Sequence, residues 1–351
     1  MLIKVAWEGW EIMEDIFDLE EERLKEEIRR RGARRVLIQL PEGLKSKALR
    51  LAKIVEETGA LPIISADPCY GACDLPICEA GALRADLIFH YGHTEMAPPA
   101  STNVPIIYVE ARAMVDVEKS VEDALEHLEG WSVIGLSTVV QHVHDLDKVR
   151  AILNAAGKTV MVGDAGELKY PGQVVGCNYS NAEAVSRDVE AFLFLGGGRF
   201  HALGLALATG KPVVVANPYE GRAYPIREEE VQKVIRQRWM SISQAKEAGS
   251  FGVIVGLKSG QTALNSAIKI KRYLEEAGKR AVLLAMREIT SEGLQEFPSI
   301  EAFVNTACPR VSLDESSIFR RPVLTVGEAL VMLGKTSWEE LLKGGWFKKA
   351  L

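Results

Sequence analysis

The run "DLIFHYG" (residues 86–92) is short, almost unbroken in its apolar character, and closed by a glycine; it returns as "AFLFLGGG" (191–198) and "AFVNTA" (302–307). The three copies start at 86, 191 and 302, so they lie 105 and 111 residues apart. Each is followed by a second apolar run, "VPIIYVE" (104–110), "PVVVAN" (212–217) and "PVLTV" (322–326), with starts 108 and 110 residues apart. Two further runs precede each copy: "RVLIQL" (35–40) and "LPIISA" (61–66), "SVIGLS" (132–137) and "TVMVGD" (159–164), "FGVIVGL" (251–257) and "AVLLAM" (281–286). Continuous Val/Ile/Leu runs without polar alternation are what strands covered on both faces look like. Four such strands recurring at a fixed period mean one supersecondary unit used three times.

Helical patterns fill the gaps between runs. Strand alternating with helix predicts small parallel sheets with crossover helices. The expected architecture is therefore α/β: three similar four-stranded parallel-sheet units with flanking helices, an internal triplication around a central site. The expected divisions are residues 1–113 with an N-terminal helix, 114–226, and 227–351 with C-terminal helices. The N-terminal stretch "EIMEDIFDLEEERLKEEIRRRGA" places Ile12, Ile16, Leu19, Leu24 and Ile28 at helical spacing, with Gly32 as its cap. "VEKSVEDALEHLEG" and "REEEVQKVIRQRW" are read as the helices that lead into units two and three.

The chain has 351 residues, a formal net charge of -6 and 47% hydrophobic residues. Its length exceeds what one core comfortably serves. The acidic balance argues against direct nucleic-acid binding, which usually shows a basic surplus. No apolar run reaches a membrane-spanning length and no charged-then-apolar leader opens the sequence. The expected location is the cytoplasm, with no membrane partner. There, five cysteines are expected to be thiols or metal ligands rather than disulfides.

Polar and glycine-rich segments follow the strand ends, where open α/β sheets bind ligands. They are "PEGLKS" (41–46), "YGHTEM" (91–96), "GGGRFHA" (196–202), "NPYEG" (217–221) and "KSGQT" (258–262). "GLKSGQ" has the composition of a phosphate loop but lacks its full motif, so it is a weak anion-site signal beside an ordinary turn and helix start.

Three of the cysteines crowd into "ADPCYGACDLPICEAG" (66–81) as Cys69, Cys73 and Cys78, spaced C-x3-C-x4-C. The familiar radical S-adenosylmethionine (SAM) loop is C-x3-C-x2-C, so this stretch is not that loop. Sorting by unit gives a different grouping. Cys73 follows the second strand of unit one, Cys177 the second strand of unit two, and Cys308 the third strand of unit three. If the units meet about a pseudo-threefold axis, three thiolates converge and leave a fourth position open. That set suits a 4Fe-4S cluster and also suits zinc, although "HVH", the one close histidine pair, falls on a predicted helix elsewhere. Isolated cysteines are also common as small buried apolar residues. Cys69 and Cys78 have no counterparts in the other units and are read that way.

The motifs "YGACD", "GCN" and "TACPR", with "QLPEGL", "HYGHTEM", "QHVHDL", "LGGGRFHALGLAL" and "GLKSGQ", resemble the archaeal radical enzymes of diphthamide biosynthesis. This is the 2-(3-amino-3-carboxypropyl)histidine synthase family, and the likeness runs from about residue 33 to 330. The resemblance implies that Cys73, Cys177 and Cys308 hold a 4Fe-4S cluster, and that Cys69 and Cys78 do not. It implies that SAM is the co-substrate and is split at Cγ–S, releasing methylthioadenosine. The 3-amino-3-carboxypropyl group then goes to C2 of a histidine on translation elongation factor 2. It further implies a homodimer, an external electron donor and an unidentified reductase.

SAM carries an ammonium and a carboxylate, and the strand-end groups Glu42, Gly43, Gly197, Gly260, Gln261 and Arg287 are placed to meet it. His93 and His201, on strand-end segments, are the catalytic candidates. Two other classes fit part of the pattern. One is a quinolinate-synthase-like iron–sulfur dehydratase, also built of three units with one cysteine each. The other is a scaffold that binds the elongation factor without catalysis, which retention of all three motif cysteines opposes.

Overall fold

The computed structural model describes residues 16–96, 102–314 and 318–347. All twelve expected strands form. The first sheet holds β2 (Arg35–Gln39), β3 (Leu61–Ile64), β4 (Leu87–Tyr91) and β5 (Ile106–Val109). The second holds β7 (Val133–Thr138), β8 (Thr159–Met161), β9 (Ala191–Leu195) and β10 (Val213–Asn217), extended by β11 (Arg222–Pro225). The third holds β12 (Ser250–Gly256), β13 (Arg280–Met286), β14 (Ala302–Asn305) and β15 (Val323–Thr325). Their orders are β3-β2-β4-β5, β8-β7-β9-β10-β11 and β13-β12-β14-β15. Numbered within its unit, each sheet therefore runs 2-1-3-4, all parallel, with antiparallel β11 as the one addition. The repeat seen as sequence period is thus a repeat of topology.

Burial explains the unbroken apolar runs. Every residue of the inner strands β4, β9, β10, β12 and β14, and of the edge strand β15, is buried, as expected of strands covered on both faces. "TVMVGD" yields a strand of only three residues. Just beyond it, Gly163 lies so close to the helix Ser180–Val185 that an added Cβ would stand 1.9 Å from the Asn181 carbonyl oxygen.

The N-terminal helix is shorter than its charge pattern suggests. It spans Glu21–Arg31, buries Leu24 and Ile28, and ends on Gly32 at φ 62°. Phe17 and Asp18 instead form β1, paired antiparallel with β6 (Arg112–Ala113). Ile12 lies outside the described residues. At the other terminus, Leu341, Trp346 and Phe347 pack with Tyr179, Phe192 and Leu205 in the core of the second sheet. The C-terminal segment therefore ties the third unit to the second.

Candidate metal centre

The three units meet at the carboxyl ends of their strands, and each pair shares a specific contact. Units one and two are joined by Gln141, whose Nε2 donates to the Gly92 carbonyl at 2.7 Å and to the Glu110 carbonyl at 3.1 Å. Gln173 Nε2 also donates to Thr94 Oγ1 at 2.9 Å. Units two and three are joined by Arg310, whose guanidinium lies 3.7 Å from the Phe200 ring centroid and donates to the Phe200 carbonyl at 3.0 Å. Units one and three are joined at Cys73 itself: Gly260 N donates to the Cys73 carbonyl at 2.8 Å. Gln261 Nε2 reaches Cys73 Sγ at 3.3 Å.

Cys73, Cys177 and Cys308 occupy this junction. All three are partly exposed, whereas Cys69 is buried and Cys78 is exposed on the helix Ile77–Leu83. Burial pushes all three junction thiols up, Cys177 to about 12. After burial, the charges of Cys308 and Cys73 are the next causes at Cys177, and Cys73 raises Cys308 in the same way. The three sulfurs thus lie within electrostatic reach of one another, and together they resist ionisation. A cationic centre reverses that balance, because a thiolate ligand is deprotonated by the metal it binds. Local donors help: backbone N–H groups of Arg310 and Val311 favour the Cys308 thiolate, and Gln261 favours that of Cys73. One soft ligand from each of three units around a shared junction fits an iron–sulfur cluster.

"GLKSGQ" is a clasp rather than an anion loop. Lys258 is buried, 3.0 Å from Asp74 and 2.8 Å from Glu288, with its ammonium 4.0 Å from the Tyr70 ring centroid. Its positive charge is already neutralised by two carboxylates. Gly260 is required by contact, since a Cβ there would lie 2.6 Å from Cys73 Cα. Of the groups expected to meet SAM, Gly260 and Gln261 therefore touch a candidate ligand. Glu42 pairs with Lys45 at 2.7 Å and Arg287 with Glu79 at 2.7 Å, while a Cβ added at Gly197 would lie 3.0 Å from the Tyr219 ring and one added at Gly43 would meet open space.

His93 follows β4. His201 sits in the first turn of the helix Phe200–Thr209, not in a loop. Burial keeps both neutral, pushing His93 down to about 4 and His201 down to about 3, the latter helped by Arg310. The His201 ring lies between Phe194 and Phe200. "HVH" forms a 3-10 turn, Val140–Asp145, in which His142 bonds Tyr219 Oη and Asp145, so it is no part of this junction.

Two features had no signal in the motif reading. Arg310 fills the space left by Gly204, where a Cβ would lie 2.7 Å from Arg310 Nη1 and 2.0 Å from Tyr179 Oη. A glycine inside an apolar helix was the available hint. Behind Cys308, Arg238 is buried against Glu328 with two contacts of 2.6 Å, and donates to the Ser312 and Val323 carbonyls at 2.7 and 2.8 Å.

Comparison with known proteins meets this geometry from outside. The diphthamide synthesis protein family model matches residues 40–342. The chain belongs to that family. It is 38% identical to the 2-(3-amino-3-carboxypropyl)histidine synthase of Pyrococcus horikoshii, over 94% of this chain and 95% of that protein. It is 30% identical to subunit 1 of the Gallus gallus enzyme, over 89% of this chain and 76% of that protein. The crystal structure of Dph2 from Pyrococcus horikoshii with a 4Fe-4S cluster superposes with a TM-score of 0.84 at 37% identity, covering 95% of this chain and 94% of that one. This diphthamide-family chain is therefore similar in sequence and in fold to a cluster-bearing relative. Among the described residues, no helix is long and apolar enough to cross a membrane.

Proposed function

We propose that this chain is a 2-(3-amino-3-carboxypropyl)histidine synthase. In this reading it transfers the 3-amino-3-carboxypropyl group of SAM to C2 of a histidine on translation elongation factor 2, the first step of diphthamide formation. The reading is supported by Cys73, Cys177 and Cys308, one from each unit and near enough to raise one another's pKa, in a chain 38% identical to a synthase of that name. Cys73, Cys177 and Cys308 would hold a 4Fe-4S cluster, which when bound would supply the electron for opening the Cγ–S bond of SAM.

The chain's own residues hold the junction and manage charge. Gly260 and Gln261 fix the Cys73 turn against the third unit. Arg310 places a buried cation beside Cys177 and Cys308, which favours their anionic forms. Overall, SAM and the target histidine give methylthioadenosine, the substituted histidine and one proton, and the electron is returned. The proton leaving C2 needs an acceptor with a free lone pair. His201, held neutral by burial and by the neighbouring Arg310, accepts a proton poorly, so in this reading it orders the substrate and the C2 proton leaves to solvent. An external donor and its reductase are needed to prime the reaction.

The test is an anaerobic incubation of reduced enzyme, SAM and archaeal elongation factor 2, with products separated by chromatography. The expected products are methylthioadenosine and a mass gain on the target histidine peptide. 5'-Deoxyadenosine as the main product contradicts the proposed cleavage. His201→Ala is expected to retain iron and methylthioadenosine formation while slowing transfer.

The homodimer belongs to the same proposal. β13 is an edge strand among the described residues, with Val282 and Leu283 exposed beside exposed Leu264 and Ile268. Such an edge is normally covered. Light scattering is expected to give the mass of two chains, and a monomer contradicts it.

A further inference from the structure

Cys69, read from sequence as an apolar bystander, does not lie among apolar side chains alone. One ligand atom each from Cys69, His90 and His93 falls within 4.8 Å of the other two. Cys69 and His90 are buried. His90 Nε2 and His93 Nδ1 are 3.0 Å apart. Two nitrogens bound tetrahedrally to zinc at about 2.0–2.1 Å stand roughly 3.3 Å apart, so this pair is already close to that spacing.

The surroundings aim His90 at the same point. Gln39 Nε2 donates to the Asp74 carbonyl at 2.6 Å, which leaves Gln39 Oε1 as an acceptor. His90 Nδ1 lies 2.7 Å from that oxygen and therefore carries the proton. Its Nε2 is then a lone pair facing His93. A ligating histidine held by a hydrogen bond on its other nitrogen is the usual outer arrangement of a metal site.

We propose that Cys69, His90 and His93 form a second metal site, distinct from the three-cysteine junction, which takes a borderline-soft divalent ion of the zinc class. One thiolate and two neutral imidazoles satisfy such an ion, with a fourth position left for water or another small ligand. Burial favours this role by keeping both imidazoles neutral, with His93 down at about 4. The Cys69 thiol, pushed up to about 12 by burial, must lose its proton on binding. Since Cys69 and Cys73 lie on one segment and His90 and His93 at the end of β4, the ion pins the cysteine segment to the first sheet. The proposal does not depend on the chemistry of the junction.

The test uses full-length protein with its iron–sulfur cluster loaded anaerobically, so that the junction thiols are occupied. Zn²⁺ is added in excess, weakly held metal is removed with a mild chelator, and zinc and iron are counted together. The expected result is roughly one zinc per chain with one sulfur and two nitrogen neighbours by X-ray absorption. Cys69→Ser and His90→Ala should lose that zinc and keep wild-type iron, with Cys78→Ser as an unaffected control. Gln39→Leu should weaken zinc about 10–100-fold by freeing the His90 ring. Substoichiometric zinc in the loaded protein overturns the proposal. So does zinc retained in Cys69→Ser, or zinc bound only as iron is lost.

Discussion

Cys308 and Cys73 reach the same junction but are held in opposite ways. The Cys308 turn is fixed from within its own unit: Asn305 Nδ2 donates to the Cys308 carbonyl at 2.7 Å, and the buried Arg238–Glu328 pair secures the following helix through Ser312. The Cys73 turn has one support from its own sheet, Gln39 Nε2 on the Asp74 carbonyl, and is otherwise fixed from outside, by Lys258, Gly260 and Gln261 of the third unit. One cysteine depends on the integrity of a core and the other on the docking of two units. Damage to the first support should therefore appear as lost stability, and damage to the second as lost metal.

The largest effect is expected at Arg238. Arg238→Ala leaves Glu328 as a buried, uncompensated carboxylate and should cost about 3–5 kcal/mol in urea denaturation. Iron binding should fall with the fold. A variant of wild-type stability that has lost iron would break the contrast from this side.

Gly260→Ala should behave the other way. The new Cβ meets Cys73 Cα at 2.6 Å, a backbone contact that no rotamer can relieve. Iron content is expected to drop severely, against a stability loss of about 1–3 kcal/mol. Gln261→Ala, which removes a weak bond to Cys73 Sγ, should show a smaller version of the same effect: faster iron loss to a chelator, with at most about 0.5–1.5 kcal/mol lost in urea denaturation.

The contrast also explains what was legible in the sequence. The fold was read from period and run length because every central strand is buried on both faces, a property that writes itself into consecutive residues. The cysteine grouping rests on the same repeat: each unit carries one cysteine past a strand's carboxyl end, after the second strand in units one and two and after the third in unit three. Contacts between units leave no such trace: nothing in "GLKSGQ" says that Lys258 answers Asp74 and Glu288 rather than a phosphate. Arg238 sits in a helix dense with charge and reads as a solvated residue, yet only 1% of its surface is exposed. Cys69 was judged by its lack of counterparts in units two and three, a test blind to a site built within one unit. The N-terminal helix was overextended because the periodic residues continue upstream of Glu20, where the backbone turns left-handed at φ 51°.

The central claim is that three thiols, one per unit, hold one cluster. The most direct measurement is iron and sulfide content, with electron paramagnetic resonance after reduction, on single variants purified anaerobically. Cys73→Ala, Cys177→Ala and Cys308→Ala should each lose most of the iron and the reduced-cluster signal, while Cys69→Ser and Cys78→Ala keep both. Full iron in any of the first three, or loss of the cluster in either of the last two with the fold intact, would contradict the account.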